Sequence, residues 1–247
     1  MHKLKHEIIM FLSTFFPFLD NSKKRHIWVK KTLSTIPPKE TILDAGAGEC
    51  VYKAFSTHLN YKSQDFCEYD GKGDNLGIQT DNWDNSKIDI VSDIINIPVS
   101  DDSFDNILCC EVLEHLPEPS LAIKEFSRIL KKGGRLILTA PFCSVTHFAP
   151  FHFCSGFNKY WYTTILPKYG FTIKEITPNG NYFDYVLVEI FRTPLMIFKN
   201  SRLPILSILY IPLVVPIILL LQLCSIFSFG SESLLCFGYH VICTKDK

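Results

Sequence analysis

From Lys39 onward, the chain alternates short apolar runs with stretches in which apolar residues recur at helical spacing. This alternation is typical of a parallel β-sheet covered by helices, because parallel strands are joined by helical crossovers. It predicts an α/β fold with strands at 41–45, 61–66, 88–91, 104–110, 135–140, 171–176 and 239–243. The predicted helices occupy 49–58, 120–131 and 158–169.

The segment from Ser120 to Lys131 carries the clearest helical pattern. Four apolar positions are expected to face the core: Leu121, Phe126, Ile129 and Leu130. Four charged positions are expected to face solvent: Lys124, Glu125, Arg128 and Lys131. The glycine pair at 133–134 should end the helix, because glycine readily adopts the left-handed conformation found after helix C-termini.

Residues 203–231 form a different pattern, an apolar run without a single charged side chain. The run is long enough to span a bilayer, but the strand that follows must return to the sheet. Because Pro204, Pro212 and Pro216 should break a helix here, we expect a kinked apolar helical insert lying along the cytoplasmic face of a membrane. Burial within a soluble cytoplasmic protein and a homodimer interface are the alternatives.

The N-terminus carries a second apolar run at 8–19, behind the basic start MHKLKH. No small-residue cleavage site follows it, so an uncleaved helix is expected rather than a signal peptide. The predicted organisation is a basic and apolar helical segment at 1–40, a core domain at 41–183, the apolar insert at 184–236 and the last strand at 237–247.

Charge is balanced overall but unevenly placed along the chain. Residues 41–127 carry seventeen Asp/Glu against five Lys/Arg, while both flanking regions are basic. An acidic middle argues against nucleic acid as a partner, and basic flanks beside apolar runs suit an anionic membrane surface. The nine cysteines show no CxxC pair or zinc-ligand spacing, which predicts free thiols and no metal site.

The motif ILDAGAGE places a glycine turn directly after the first predicted strand. Gly46 and Gly48 remove the Cβ atoms that would keep a ligand from the backbone at the strand's carboxyl end, where open α/β sheets bind ligands. The third glycine of a dinucleotide fingerprint is missing, because Glu49 and Cys50 follow. A nicotinamide cofactor is therefore disfavoured.

Acidic residues stand at the ends of the next two predicted strands as well. Asp65 lies 21 residues after Asp44, a spacing at which an acid can accept hydrogen bonds from ribose hydroxyls. Asp93 follows the third strand. Three carboxylates at successive strand ends form a negative rim that suits a cationic sulfonium better than a phosphate.

The series ILDAGAGE, SQD, VSDIINIPVSDDSFDNILCCEVLEHLPEP and LKKGGRLILTAPF resembles class I S-adenosylmethionine-dependent methyltransferases that modify glycans and lipids. The resemblance implies a Rossmann-like, seven-stranded, mostly parallel sheet and S-adenosyl-L-methionine as the cofactor. Seven positions match the family's cofactor contacts: Asp44, Gly46 and Gly48 for the methionine moiety, Asp65 for ribose, Asp93 and Ile94 for adenine, and Glu111 at the methyl end.

Three histidines are the candidate catalytic residues. By the same resemblance, His115 should face the acceptor, and His147 and His152 fall in a segment similar to the family's acceptor loop. His152 stands where an acid is common. A neutral imidazole can remove a hydroxyl proton near neutral pH, so each histidine is a candidate base, with a structural role as its alternative.

These features favour an enzyme that transfers a methyl group to an oxygen, or alternatively a nitrogen, of a membrane-proximal saccharide, lipid-linked or other small-molecule acceptor. A nicotinamide-dependent oxidoreductase and a non-catalytic, membrane-attached binding module are the alternative hypotheses. The expected partners are this acceptor and a membrane surface, with no nucleic acid.

Overall fold

The computed structural model describes residues 21–246. Seven strands form one sheet: β1 (Thr41–Ala45), β2 (Asn60–Asp65), β3 (Ile90–Val91), β4 (Phe104–Cys110), β5 (Leu130–Pro141), β6 (Phe171–Asn179) and β7 (Gly238–Lys245). Their order across the sheet is β3-β2-β1-β4-β5-β7-β6. Strands β1 to β5 pair in parallel, and β7 lies antiparallel to β5. The predicted Rossmann-like, seven-stranded, mostly parallel sheet is confirmed.

The helices are α1 (Asn21–Ser34), α2 (Pro119–Ile129), α3 (Lys159–Lys168), α4 (Tyr182–Asn200) and α5 (Leu206–Ile226). Val29 and Leu33 of α1 pack against Ile42, Leu108 and Ile137 in the centre of the sheet, and all five side chains are fully buried. Burying a side chain of this size stabilises the fold by roughly 1.5–3 kcal/mol. This packing fixes α1 against the strands whose ends carry the site.

The helix predicted at 49–58 is wrong, because only a short 3-10 turn at Lys53–Phe55 occupies this segment. Three residues before it, Gly46, Gly48 and Cys50, have positive φ angles of 70°, 50° and 56°. A left-handed residue cannot continue a right-handed helix. The glycine turn is therefore followed by further turns instead of a regular helix.

Two details predicted for the 120–131 helix are also wrong. The helix ends at Ile129 and β5 begins at the next residue, so the 133–134 glycine pair lies inside a strand. Glu125, expected to face solvent, is 7% exposed. Its carboxylate accepts a hydrogen bond from the Ile97 N–H at 2.7 Å and pairs with Arg128 at 2.6 Å, which compensates its burial.

Residues 178–237, together with the start of α1, form a compact unit of their own that contains α4 and α5. Asn181 caps α4 by accepting hydrogen bonds from the N–H groups of Phe183 and Asp184. Pro212 and Pro216 lie inside the continuous helix α5, so the expected breaks at these prolines are wrong. Within residues 21–246, no helix is long and apolar enough to cross a membrane. The run predicted at 8–19 lies outside the described residues.

Candidate active site

A cavity of about 700 Å³ opens where the carboxyl ends of β1, β2, β3 and β4 meet. Neighbouring parallel strands end at the same edge of a sheet, so residues far apart in sequence converge there. All seven residues predicted to contact the cofactor line this cavity: Asp44, Gly46, Gly48, Asp65, Asp93, Ile94 and Glu111. Their individual contacts to a cofactor remain predictions.

The glycine turn is held close to β2 by two backbone hydrogen bonds. The N–H groups of Gly46 and Ala47 both donate to the Gln64 carbonyl, at 2.8 and 2.9 Å. A Cβ atom on Gly46 would lie 2.5 Å from the Val112 side chain, and one on Gly48 would lie 2.5 Å from the Trp83 ring. A side chain at either position would therefore also collide with the cavity wall, and the positive φ of both residues favours glycine in its own right.

Asp44 is the most buried acid of the cavity rim, with 2% of its surface exposed. Its Oδ2 accepts a hydrogen bond of 2.6 Å from the Tyr61 hydroxyl. Burial raises the pKa of Asp44 to about 7, against the opposing effect of the Tyr61 hydrogen bond, and repulsion from Asp65 adds to the rise. A positively charged ligand would reverse this effect by stabilising the carboxylate.

Asp65 connects the second strand to the glycine turn. One carboxylate oxygen accepts a hydrogen bond from the Gly48 N–H at 2.9 Å, and the other accepts one from the Cys67 N–H at 2.9 Å. Each oxygen keeps a further lone pair. Asp65 can therefore hold the turn and still accept a hydrogen bond from a ligand in the cavity.

Asp93 and Ile94 follow β3 and bring two different surfaces to the cavity. Asp93 accepts a hydrogen bond from the Ile95 N–H at 3.1 Å, which fixes the turn after the strand. Ile94 is 5% exposed and supplies an apolar wall. The pair combines an acceptor with a flat apolar contact, as a nucleobase site requires.

Arg25 is a cavity residue that the sequence reasoning missed. Its Nη1 donates to the Glu111 Oε2 at 2.9 Å, and the other Glu111 oxygen accepts a hydrogen bond from Thr139 at 3.0 Å. Arg25 reaches the cavity from α1. Glu111 has a positive φ of 57°, a conformation that is rare for non-glycine residues and often marks functional sites.

His115, His147 and His152, hereafter the histidine cluster, lie together beside the cavity. Their ring centroids are 4.7 Å apart for 115 and 147, 4.6 Å for 147 and 152, and 5.9 Å for 115 and 152. Among the described residues, His115 lines the cavity itself and the other two lie behind it. Burial lowers the pKa of His115 to about 4, and the neighbouring His147 contributes to the decrease.

Glu114 lies against the histidine cluster and was not among the predicted site residues. It is 1% exposed, and its Oε1 is 3.7 Å from the His115 Nε2 and 3.9 Å from the His147 Nε2. Burial raises the pKa of Glu114 well above its usual range, and repulsion from Glu111 contributes. The motif EVLEH contained this residue, but only the fold shows that it points inward.

Aromatic side chains form the wall next to His115. Phe148 stacks on the His115 ring with centroids 5.3 Å apart and planes inclined by 16°, and it also stacks on Tyr69 at 4.7 Å. Phe151 and Phe153 line the same end of the cavity. The cavity lining therefore combines aromatic side chains near His115 with acidic side chains at the strand ends.

Residues 43–138 match the family described as methyltransferase domain. Curated relatives include ubiquinone biosynthesis O-methyltransferases of Xanthomonas oryzae pv. oryzae, 49% identical over 37 residues, and of Coxiella burnetii, 33% identical over 82 residues. These matches cover 15% and 33% of this chain, and they span only 16% and 28% of the relatives.

Among solved structures, Haemonchus contortus phosphoethanolamine N-methyltransferase 2 in complex with S-adenosyl-L-methionine has a TM-score of 0.51 at 14% identity. The match covers 92% of this chain and 53% of that protein. Likeness at this identity concerns the fold. Together, these findings show that residues 43–138, from β1 to β5, match a methyltransferase domain and that the chain has the class I methyltransferase fold.

Proposed function

We propose that the protein transfers the methyl group of S-adenosylmethionine to a hydroxyl oxygen of an apolar or lipid-linked acceptor. The observation that carries this proposal is the convergence of acidic groups from four successive strand ends on one cavity inside the family-matched region. Such a rim attracts a cationic sulfonium and the hydroxyl groups of a nucleoside.

The cavity residues suit each part of this cofactor. Asp44 and the glycine turn would hold the methionine moiety, and Asp65 the ribose. Asp93 and Ile94 would hold the adenine. The cofactor supplies a methyl group on an activated sulfur, so the protein mainly has to align the acceptor and exclude water.

The far end of the cavity favours an oxygen acceptor with an apolar body. Phe148, Phe151 and Phe153 offer apolar surface there, and His115 offers a ring that is neutral near neutral pH. Oxygen as the acceptor atom is further supported by the curated relatives, which are named as O-methyltransferases. The role of the three histidines as candidate bases remains part of this proposal.

Calorimetry with S-adenosylhomocysteine and NADH tests the cofactor assignment. Wild type should bind S-adenosylhomocysteine and not NADH, and Asp65→Ala should weaken binding by about 1.5–3 kcal/mol. Asp74→Ala is a matched control, because Asp74 also accepts a backbone hydrogen bond but lies outside the cavity lining. Equal binding by wild type and Asp65→Ala would remove Asp65 from the site, and tight NADH binding would favour an oxidoreductase.

Methyl transfer itself is tested with S-adenosylmethionine labelled in the methyl group. Label should enter a lipid extract of the source cells in preference to a water-soluble glycan fraction. Cofactor binding without transfer to either fraction would favour the non-catalytic binding module. Transfer to the water-soluble fraction alone would refute the lipid-linked acceptor while leaving the enzyme class intact.

We further propose that the apolar segment at 203–231 attaches the protein to a membrane surface. Its side chains include Leu213 and Leu220, 69% and 60% exposed, and no charged residue interrupts the run. Exposed apolar surface of this extent marks an interaction site. The basic residues Lys199 and Arg202 precede the run and can meet anionic headgroups.

Vesicle flotation tests the attachment. The wild type should float with anionic vesicles, and the Leu213→Asp/Leu220→Asp variant should remain in solution. Leu76→Asp is the matched control, because Leu76 is 65% exposed but belongs to the other compact unit. If the double variant floats like the wild type, the segment is not the attachment site. If sedimentation shows that the wild type is a dimer and the double variant is a monomer, the homodimer interface is favoured instead.

A further inference from the structure

The histidine cluster brings three potential metal ligands together, and Glu114 lies beside two of them. One ligand atom from each of the three histidines lies within 4.8 Å of the other two. The Oε1 atom of Glu114 faces two of these rings at 3.7 and 3.9 Å. These separations are too long for good hydrogen bonds. The two Glu114 distances exceed by roughly half an ångström the spacing of about 3.3 Å that metal–ligand bonds of about 2.0–2.1 Å give in a tetrahedral site, so ion binding would draw these side chains together.

The backbone fixes the ring orientation of two histidines. The Nδ1 of His115 contacts the Phe151 carbonyl at 2.5 Å, and the Nδ1 of His147 contacts the Val145 carbonyl at 2.9 Å. A carbonyl only accepts, so each Nδ1 must carry the hydrogen. In the neutral rings, both Nε2 atoms then present a lone pair. A backbone carbonyl on the second nitrogen is the usual way in which proteins orient metal-binding histidines.

Glu114 is a buried carboxylate, and no hydrogen-bond donor among the described residues reaches its oxygens. Neither of its oxygens accepts a hydrogen bond from residues 21–246, and the same holds for the His115 Nε2 and the His152 Nδ1. Buried polar atoms in native proteins nearly always have a partner, because leaving them without one costs about 1–3 kcal/mol each. Here several such atoms, rich in lone pairs, face each other. A cation between them would satisfy all of them at once.

We propose that the histidine cluster and Glu114 bind one divalent first-row transition-metal ion, of the zinc type. Imidazole nitrogens with a single carboxylate suit zinc and its neighbours, whereas magnesium and calcium prefer oxygen ligands alone. The sequence predicted no metal site, because that prediction considered the nine cysteines, which show no CxxC pair or zinc-ligand spacing. This inference goes beyond the proposed methyl transfer and does not depend on it, but a histidine that holds the ion would not serve as the base.

The ion would fasten the loop that carries His147 and His152 to the end of β4. The backbone already joins them, because the N–H groups of Phe153 and Cys154 both donate to the Glu114 carbonyl at 3.0 and 3.1 Å. The same loop contributes Phe148 and Phe151 to the cavity. Metal binding would therefore set the shape of the acceptor end.

The test uses the full chain without a histidine tag, stripped with a chelator and titrated with Zn²⁺ and with Co²⁺. Wild type should bind one equivalent of Zn²⁺, and the Co²⁺ protein should show visible absorption of a tetrahedral nitrogen and oxygen site without thiolate charge transfer. The His147→Ala/His152→Ala variant should bind Zn²⁺ more than about 100-fold more weakly or not at all, because loss of even an outer-shell partner costs about 10- to 100-fold. His58→Ala is the matched control, because this histidine lies outside the cluster.

Equal Zn²⁺ affinity of the wild type and the double variant would overturn the proposal. Thiolate charge transfer in the Co²⁺ spectrum would also overturn it, because it would show that cysteines bind the ion. If the double variant does not fold, Glu114→Gln keeps the side chain's size and should still weaken Zn²⁺ binding. Absence of stoichiometric binding to wild type would mean that a proton occupies the cluster instead. Because the titration needs neither cofactor nor acceptor, its failure is distinct from a failure of the proposed methyl transfer.

Discussion

Replacing Asp44 by asparagine should remove a large pH-dependent contribution to the free energy of unfolding. Burial raises the pKa of this carboxyl group from an ordinary 3.8 to about 7, so the folded protein holds its proton more tightly than the unfolded chain. The stability that this group provides is fully present below the unfolded pKa of 3.8 and is lost as the pH rises to the folded value of about 7. One pKa unit corresponds to about 1.4 kcal/mol, so the complete loss is about 4 kcal/mol.

Urea denaturation of wild type and Asp44→Asn measures this loss directly. Between about pH 5.5 and about pH 8, the wild type should lose about 2 kcal/mol more than the variant, because asparagine has no proton to release. Other groups titrate in both proteins and cancel in the difference. The amide oxygen can still accept the Tyr61 hydrogen bond, so the variant should fold. Parallel pH profiles for the two proteins would refute the reasoning, since Asp44 would then ionise normally in the folded state.

Two further substitutions test the packing around the site. Gly46→Ala should abolish S-adenosylhomocysteine binding in calorimetry, because its Cβ would lie 2.5 Å from Val112. Gly170→Ala is the control and should bind normally. Gly170 also has a positive φ, but no described atom lies within 4 Å of a Cβ placed there. Glu125→Ala should lower the free energy of unfolding in urea by about 2 kcal/mol, because the Ile97 N–H loses its acceptor, while Glu125→Gln should recover part of it. Normal binding by Gly46→Ala, or unchanged stability of Glu125→Ala, would contradict these assignments.

The strands of the sheet were largely predictable from the sequence, because each central strand is buried and its pattern involves only residues that are neighbours in the chain. Strands β1 and β4 have the predicted bounds, Thr41–Ala45 and Phe104–Cys110, since each contains a short apolar stretch next to turn-forming residues. The helix predicted at 49–58 does not form, because the glycine turn docks onto β2 and leaves Gly48 and Cys50 with positive φ angles that exclude a helix start there. Propensity acts locally, and tertiary contacts overrode it.

By itself, the sequence determined the order of strands and helices and placed acidic residues at successive strand ends, because period and spacing are properties of the chain alone. Only the tertiary structure decided which distant residues meet. Arg25 pairs with Glu111 across 86 positions of sequence, and Glu114 faces His147 from another loop. No spacing rule encodes such pairs, since they depend on how α1 and an irregular loop pack over the finished sheet. The physical reason is that a periodic pattern specifies which face of an element is buried, whereas the partner on that face is set by the whole fold.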